Sequence, residues 1–429
     1  MKVLWIVNSM MAEIAEESNR KAGFGGGWIP AMSERLRYQS DVDLAIVVFG
    51  NNEKSSYVHK NNVHYYIFPQ ISGLHKNGGG VNACKIWRTI IEEYQPDIIH
   101  IYGTEQPTSV ELIRNFKNIP IIVSLQGILS EYYKHYYGDM EFKDIFGNIT
   151  LADICLGSSG YFGRKKFLNN LKFEKEILET VKYVEGRTIW DRRVSESINP
   201  ELKYYKCSRM LRKEFYTADK WDCNNMKKHT IFIHQGNYAI KGLHMLINAV
   251  SILQNKYPDI VVNIAGQDPT KKNGIKGKLA INGYSKYIKK LAEQLGVYKK
   301  MNYVGSLDAN KVAEILRNSN VMVIPSAIEN SPNSLAEAMI IGTPCVASYV
   351  GGNAEMLDNG NAGLLYAYND PVMLADAIDR IFSSDEYACA VSKSEQRVAS
   401  ERHNPEKLVN DLKRIYQSIV NLEASKKEH

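Results

Sequence analysis

Residues 323–348, VIPSAIENSPNSLAEAMIIGTPCVAS, decide how the chain reads. A buried strand ends at Pro325, a short loop carries Glu329, and a run of helical length and apolar character follows. Ser331 is a favoured N-cap and Pro332 suits the first helical position. The amides of Asn333, Ser334 and Leu335 are then expected to point outward without intrahelical acceptors, a ready site for a diphosphate. Glu329 and Glu337 flank that site. A carboxylate beside a phosphate cradle is electrostatically awkward unless hydroxyls donate to it, and sugar and ribose hydroxyls are suitable donors. The plainer alternative is two surface glutamates, one complementing the helix dipole.

Outward from this stretch, apolar runs of strand length alternate with helical patterns, which argues for parallel sheets flanked by helices. In the first half the candidate strands are KVLWIVNS, DLAIVVFG, HYYIFPQ, DIIHIYG, PIIVSLQG and KYVEGRT; in the second they are TIFIHQG, DIVVNIAG, NYVGS, VMVIPS, PCVASYV and GLLYA. Several end in Gly or a small polar residue, where a strand–helix unit places its ligand-facing turn. The polar stretch WDCNNMKKH (221–229) separates the two sets. The spacing therefore predicts an N-terminal Rossmann-like domain over 1–220, a C-terminal one over 221–404, and a long amphipathic helix over 405–429 that packs back toward the first.

One insertion breaks the rhythm. Between Gly127 and Val181 no strand is expected; EYYKHYYGDMEFKDIF and YFGRKKFLNNLKFEKE are crowded with Tyr, Phe and Lys. They read either as surface helices with aromatic staples or as an acceptor-binding or membrane-touching lobe. In the second reading Arg164, Lys165, Lys166, Lys172 and Lys175, among Tyr161, Phe162, Phe167 and Phe173, suit anionic headgroups.

Composition narrows the class. The 429 residues suffice for two domains, and 44% hydrophobic with 23% charged residues is ordinary globular composition. A net charge of +6 suits an anionic ligand or membrane surface, whereas a nucleic-acid binder is usually more basic. The six cysteines form no Cys-x-x-Cys or metal-ligand spacing, which predicts reduced thiols. KVLWIVNS is too short an apolar run for a signal peptide, and no stretch approaches eighteen uninterrupted apolar residues. A cytoplasmic chain is expected, with the inner face of the membrane as a peripheral address. No Asp-x-Asp follows a strand end, so no metal and no cofactor are expected.

Glu329 and Glu337, seven residues between them, followed by AEAMIIGTPCVAS, resemble the paired-glutamate signature of family 4 retaining glycosyltransferases with the GT-B fold. GGNAEML (351–357), GNAGLLY (360–366), KG at 241–242 and the glycine-rich GGGWIPAM (25–32) are similar to further segments of that family. SLQGILSEYYKHYY (124–137) and GRTIWDRRVSESINP (186–200) look most like its bacterial enzymes of surface-polysaccharide assembly.

The resemblance implies an α/β GT-B architecture, two Rossmann-like domains whose parallel sheets face across a cleft. It implies metal-independent, hexosyltransferase-type transfer from a nucleotide-sugar, UDP by family frequency, to a glycan or lipid-linked acceptor, with no nucleic acid involved. Glu337 should hold the ribose hydroxyls, Glu329 should contact the transferred sugar, and Lys241 should neutralise the leaving phosphate. Gly266 and the Val304–Gly305 turn are where backbone can approach the base. Gly26 and Gly27 lie in a glycine-rich mouth without the dinucleotide G-x-G-x-x-G spacing, near the phosphates or the acceptor.

Two positions depart from the family. Gly236 stands where many relatives carry an Arg, and Gln126 where many carry a His. His100, at the end of DIIHIYG, then becomes a candidate on the acceptor side or a satisfied strand residue; Arg187 and Asp191 either face the sugar or form a structural pair. The departures keep two other readings open, a nucleotide-sugar 2-epimerase and a catalytically inactive binding or scaffold protein.

Overall fold

The computed structural model describes residues 1–21, 27–69, 80–150, 153–154, 160–269 and 281–426, with backbone only at 80–82, 160–162 and 166. The chain divides into two compact units. The first comprises Met1–Leu129, Asn169–Met210 and His403–His429; the second comprises Ser130–Leu168 and Leu211–Arg402.

The first unit holds an eight-stranded sheet: β1 (Lys2–Val7), β2 (Asp43–Gly50), β3 (Ser56–Lys60), β4 (Val63–Pro69), β5 (Ile98–Tyr102), β6 (Ile121–Ser124), β7 (Tyr183–Gly186) and β8 (Lys203–Lys206). Their order across the sheet is β3-β4-β2-β1-β5-β6-β7-β8. All neighbours run parallel except β3 and β4, an antiparallel pair at one edge. The central strands are buried along nearly their whole length, as a sheet covered on both faces requires.

The second unit holds β9 (Lys227–Ile233), β10 (Val261–Ile264), β11 (Met301–Tyr303), β12 (Ser319–Ile324), β13 (Cys345–Ser348) and β14 (Leu364–Tyr366). The order β11-β10-β9-β12-β13-β14 is wholly parallel. The chain leaves β9 toward one edge and returns to β12 on its other side. The carboxyl ends of β9 and β12 therefore flank a topological switch point, where open α/β sheets leave a crevice for ligands.

The division of the chain differs from the spans read off the sequence in two places. Leu211, Phe215 and Trp221 belong to the second core, and the Trp221 indole donates to the Ser319 carbonyl at 2.7 Å, so that unit begins ten residues before the polar stretch at 221. Segment 130–168 also belongs to the second unit. Gly138 O accepts from Tyr368 Oη at 2.9 Å and lies 3.1 Å from His244 Nε2, while Thr150 Oγ1 donates to Ile281 O at 2.8 Å. Periodicity in the sequence does not report such long-range bonds. The helix Pro405–Ser425 places Leu408, Leu412, Ile415, Tyr416 and Ile419 in one core with Val3 and Trp5 of the first unit.

The insertion contains the helices Leu129–Lys134, Phe142–Phe146 and Gly160–Thr180 and no strand among the described residues. No helix among the described residues is long and apolar enough to cross a membrane.

Candidate functional site

The crevice over β9 and β12 is built by two close approaches of backbone. Gly242 ends the short turn Ala239–Lys241 with φ of +70°, and a Cβ there would lie 1.8 Å from the Pro325 carbonyl oxygen. Only glycine lets the turn press against the end of β12. The Ala327 amide donates to Ile240 O at 2.8 Å and closes the contact. Gly351, with φ of +50°, does the same on the other side, where a Cβ would lie 1.8 Å from Glu329 O. The Gly352 amide donates to that carbonyl at 3.0 Å. These two glycines fix the backbones that carry Lys241 and Glu329.

The side chains meet. Lys241 Nζ lies 2.5 Å from Glu329 Oε1, which also accepts from Ser326 Oγ at 2.8 Å. The Lys241 side chain is 19% exposed and that of Glu329 6%, so the pair is largely but not fully withdrawn from water. Burial opposes the Lys241 charge, but Glu329, with Tyr238 beside it, outweighs burial and holds the ammonium's pKa above its usual value. Ser334 at the start of the next helix lines the same depression, together with His234 and Gln235 from the end of β9. Burial, reinforced by Arg212 and Lys241, pushes the His234 imidazole down to about 4, leaving it neutral at pH 7.

The helix itself spans Asn333–Ile341. Its flanking residue is Pro332, with φ −69° and ψ 123°, in place of the expected Ser331 cap. Ser331 Oγ instead lies 3.3 Å from Met356 Sδ. The Leu335 amide is not outward and unpaired as expected, since it donates to Pro332 O at 3.1 Å. The amides left without intrahelical acceptors by helix geometry are those of Asn333 and Ser334.

Glu337, one turn further in, is 5% exposed and meets a residue the sequence reading missed. Arg212 brings Nη2 to 2.9 Å and Nε to 3.0 Å from Glu337 Oε1. Burial nevertheless pushes the Glu337 carboxyl up to about 7; Arg212 pulls it down and Glu214 adds to the rise. Position 236 could not supply a cation here without rearrangement, because a Cβ on Gly236 would meet Leu243 Cδ2 at 2.8 Å. Neither Arg212 nor His234 sits in a motif; only the tertiary fold brings them to this site. Gly266 pairs with Gly305 through bonds of 2.8 and 3.1 Å, joining the ends of β10 and β11.

The other candidates lie in the first unit. Of its two readings His100 takes that of the satisfied strand residue: it is fully buried in β5, its Nδ1 is 2.6 Å from Tyr416 Oη, and burial lowers its pKa. Asp191 likewise takes the structural one of its two readings. Its carboxylate accepts from the Arg187 amide at 2.9 Å, the Thr188 amide at 3.2 Å and Tyr204 Oη at 2.6 Å, completing a capping box for the helix Ile189–Ile198. The Arg187 guanidinium donates to the Gln126 carbonyl, so those two are brought together. Gly27 precedes the helix Trp28–Leu36, and Gly26 lies outside the described residues. Among the described residues no three His, Cys, Asp or Glu side chains cluster as a metal site.

Two Rossmann-like units, with a lysine–glutamate pair and a helix N-terminus at the switch point of the second, define a doubly wound α/β protein. Residues 217–415, just under half of the chain, match the family described as Glycosyl transferases group 1, and the two-unit architecture is the GT-B fold. A D-inositol 3-phosphate glycosyltransferase of Corynebacterium urealyticum is 27% identical over 180 residues, which cover 42% of this chain and 41% of that one. The chain thus matches less than half the length of that relative. Sucrose-phosphate synthase from Thermosynechococcus elongatus superposes with a TM-score of 0.71 at 16% identity, over 98% of this chain and 100% of that one. Anabaena HepE, solved in complex with UDP-glucose, gives 0.65 at 16% identity over 99% and 100%. At these identities the structures speak for the fold.

Proposed function

We propose that the chain transfers a hexosyl group, with retention, from a UDP-sugar to a glycan or lipid-linked acceptor of a surface polysaccharide. The observation that carries this reading is the Lys241–Glu329 pair, 2.5 Å apart beside Ser334 at the open end of the helix Asn333–Ile341. An ammonium has three donors, and one spent on Glu329 leaves others for a diphosphate that also accepts from the helix amides. As the sugar–phosphate bond breaks, negative charge grows on the phosphate against a fixed cation and fixed dipoles, which is electrostatic catalysis without a metal. Glu329 is then beside the sugar, where positive charge develops, and Glu337 accepts from the ribose hydroxyls. The UDP-glucose bound to the Anabaena protein is consistent with a UDP-sugar donor here. The cationic, aromatic segment 161–175 supports a peripheral address on an anionic membrane: Arg164 stacks 4.1 Å over Tyr133, and Lys165, Lys172 and Lys175 are exposed. Of that set, the side chains of Tyr161, Phe162 and Lys166 lie outside the described residues.

Incubation with a panel of nucleotide sugars tests the proposal. Slow release of free sugar and nucleoside diphosphate, undiminished by chelator, is expected. A 2-epimerised sugar would instead identify an epimerase, nucleotide binding without turnover a scaffold, and activity restored only by Mg²⁺ or Mn²⁺ would end the metal-free mechanism.

A further inference from the structure

The turn that carries Lys241 has a second side. There Tyr238, Ala239 and Ile240 close a cavity of about 410 Å³ whose opposite wall is the insertion, through Tyr136, Met140 and Ile145. Lys241 lines this cavity as well as the depression it shares with Glu329. The wall is locked in place. A Cβ on Gly138, whose φ is +59°, would lie 2.3 Å from Ala239 O, and the Gly138 carbonyl takes the Tyr368 hydroxyl. Tyr132 Oη accepts from the Asn330 amide at 3.2 Å, one residue after Glu329.

The polar atoms around the cavity are mostly spent on the protein. Tyr238 Oη donates to Gln235 Oε1 at 3.0 Å, and Tyr284 Oη is 3.1 Å from His244 Nδ1. Asp153 Oδ2 accepts from the Thr150 amide and hydroxyl, each at 2.9 Å, and Asn282 Oδ1 caps Ser285 at 2.9 Å. Apart from Asp144, Asn237 and Lys241, what the walls offer a ligand is ring faces and aliphatic surface. A sugar ring would lose water there and find few partners, whereas a hydrocarbon needs none.

The apolar lining continues to the outside. Ile145 lies in the helix Phe142–Phe146, whose Phe142 is 76% and Phe146 53% exposed, their rings stacked at 6.1 Å. Ile149, which also lines the cavity, is 37% exposed, and Ile154 58%. Single exposed apolar residues are ordinary, but four within thirteen positions, Ile149 in the cavity wall and the others close to wall residues in the chain, mark a surface meant to be covered.

We propose that this cavity receives the hydrocarbon chain of a lipid-linked acceptor, with the chain leaving past Ile145 and Ile149 toward Phe142 and Phe146. This rests on the donor-site reading above, since Lys241 then stands between the acceptor's anchored end and the leaving phosphate. The inference selects lipid-linked over free glycan acceptors.

Calorimetric titration of the full chain with n-alkyl β-glucosides, butyl to nonyl and each below its micelle concentration, tests it without nucleotide present. Affinity should rise about fourfold per added methylene until the cavity is full. In Ile145→Asp and, separately, Ile149→Asp that dependence should vanish, with the longest glucoside losing at least about tenfold. Both side chains reach solvent, so a carboxylate there can be hydrated in the folded protein; UDP affinity within about twofold of wild type checks folding. Binding that ignores chain length would overturn the proposal in favour of a sugar-ring site, and a chain-length dependence unchanged in both variants would overturn it outright. Failure of UDP to bind the wild type would count against the donor site alone, because the glucoside series is read without it.

Discussion

Two cation–carboxylate pairs, Arg209–Glu185 in the first unit and Lys241–Glu329 in the second, are built to opposite ends. In the first unit Arg209 Nη1 lies 2.8 Å from Glu185 Oε1, with side chains 5% and 0% exposed. Ser124 and His100 complete the set around Glu185, and the Trp28 ring covers the guanidinium at 4.1 Å. Burial pushes the Glu185 carboxyl up, but Arg209, His100 and Ser124 outweigh it and hold it at about 2. In the second unit Lys241 and Glu329 keep an opening, and the lysine has donors left. Closure makes the first pair structural; incomplete closure leaves the second able to bind something else.

Removing one partner from the closed pair should produce the largest effect. Arg209→Ala strands a buried carboxylate, and a loss of about 3–5 kcal/mol in unfolding free energy is expected. The pair's contribution is also acid-sensitive: it is fully present above the ordinary carboxylate range and is lost as pH falls toward about 2, where Glu185 takes a proton. Chemical denaturation of Arg209→Ala at pH 7 measures this; a loss below about 1 kcal/mol would mean the network is not structural.

Lys241→Ala should do the reverse. Its stability should fall less than that of Arg209→Ala, while donor hydrolysis should slow by about 10²–10³-fold as the fixed charge beside the leaving phosphate disappears. Hydrolysis within about threefold of wild type would remove Lys241 from the mechanism.

The two glutamates sharpen the comparison within the open site. Glu337→Gln should raise the donor KM and weaken UDP by about 1.5–3 kcal/mol, because its bonds to ribose are alike in ground and transition states. Glu329→Gln should mainly lower kcat, since a carboxylate beside a developing cation counts for more in the transition state. UDP, lacking the sugar, should bind this variant nearly normally. Equal losses of UDP affinity in both proteins would show the roles to be wrongly assigned.

What was legible in the sequence follows from where each signal is encoded. The buried strands are continuous apolar runs and are readable; Glu329, Glu337 and Lys241 sit in local motifs, which is why they stand out as candidates, and the structure brings Lys241 and Glu329 together. The edge strands β3 and β8 read SYVHK and KYYK, half exposed and polar, and carry no such run. Ser331 has the composition of a cap, but its hydroxyl finds Met356, twenty-five residues on. His100 read either as an acceptor-side candidate or as a satisfied strand residue, and the choice between them is made by Tyr416, 316 residues away. Arg212 and His234 are ordinary residues in the sequence, given meaning only by Glu337 and Lys241.

The smallest expected effect is on pH. Because burial pushes Glu337 up to about 7, much of the unliganded protein carries it protonated at neutral pH, while accepting hydrogen bonds from ribose favours the carboxylate. UDP should therefore bind more weakly at pH 6 than at pH 8, by up to about tenfold, as the ionised fraction rises from about a tenth to nine-tenths. The neighbours do not blur this window: His234, at about 4, is already neutral, and Lys241 stays charged. The β-phosphate of UDP titrates near the same range, but it does so identically for Glu337→Gln, so the ratio of the two proteins' affinities isolates the carboxyl. Stability without ligand should move the other way. A carboxyl with a raised folded-state pKa binds its proton more tightly when folded, so this contribution is fully present below the ordinary carboxylate range and is lost as pH rises through 7. Calorimetric titration with UDP at several pH values, beside thermal unfolding of the unliganded protein, reads both slopes. Parallel pH profiles for wild type and Glu337→Gln would take the carboxyl out of the nucleotide site, and with it the assignment of Glu337 to ribose.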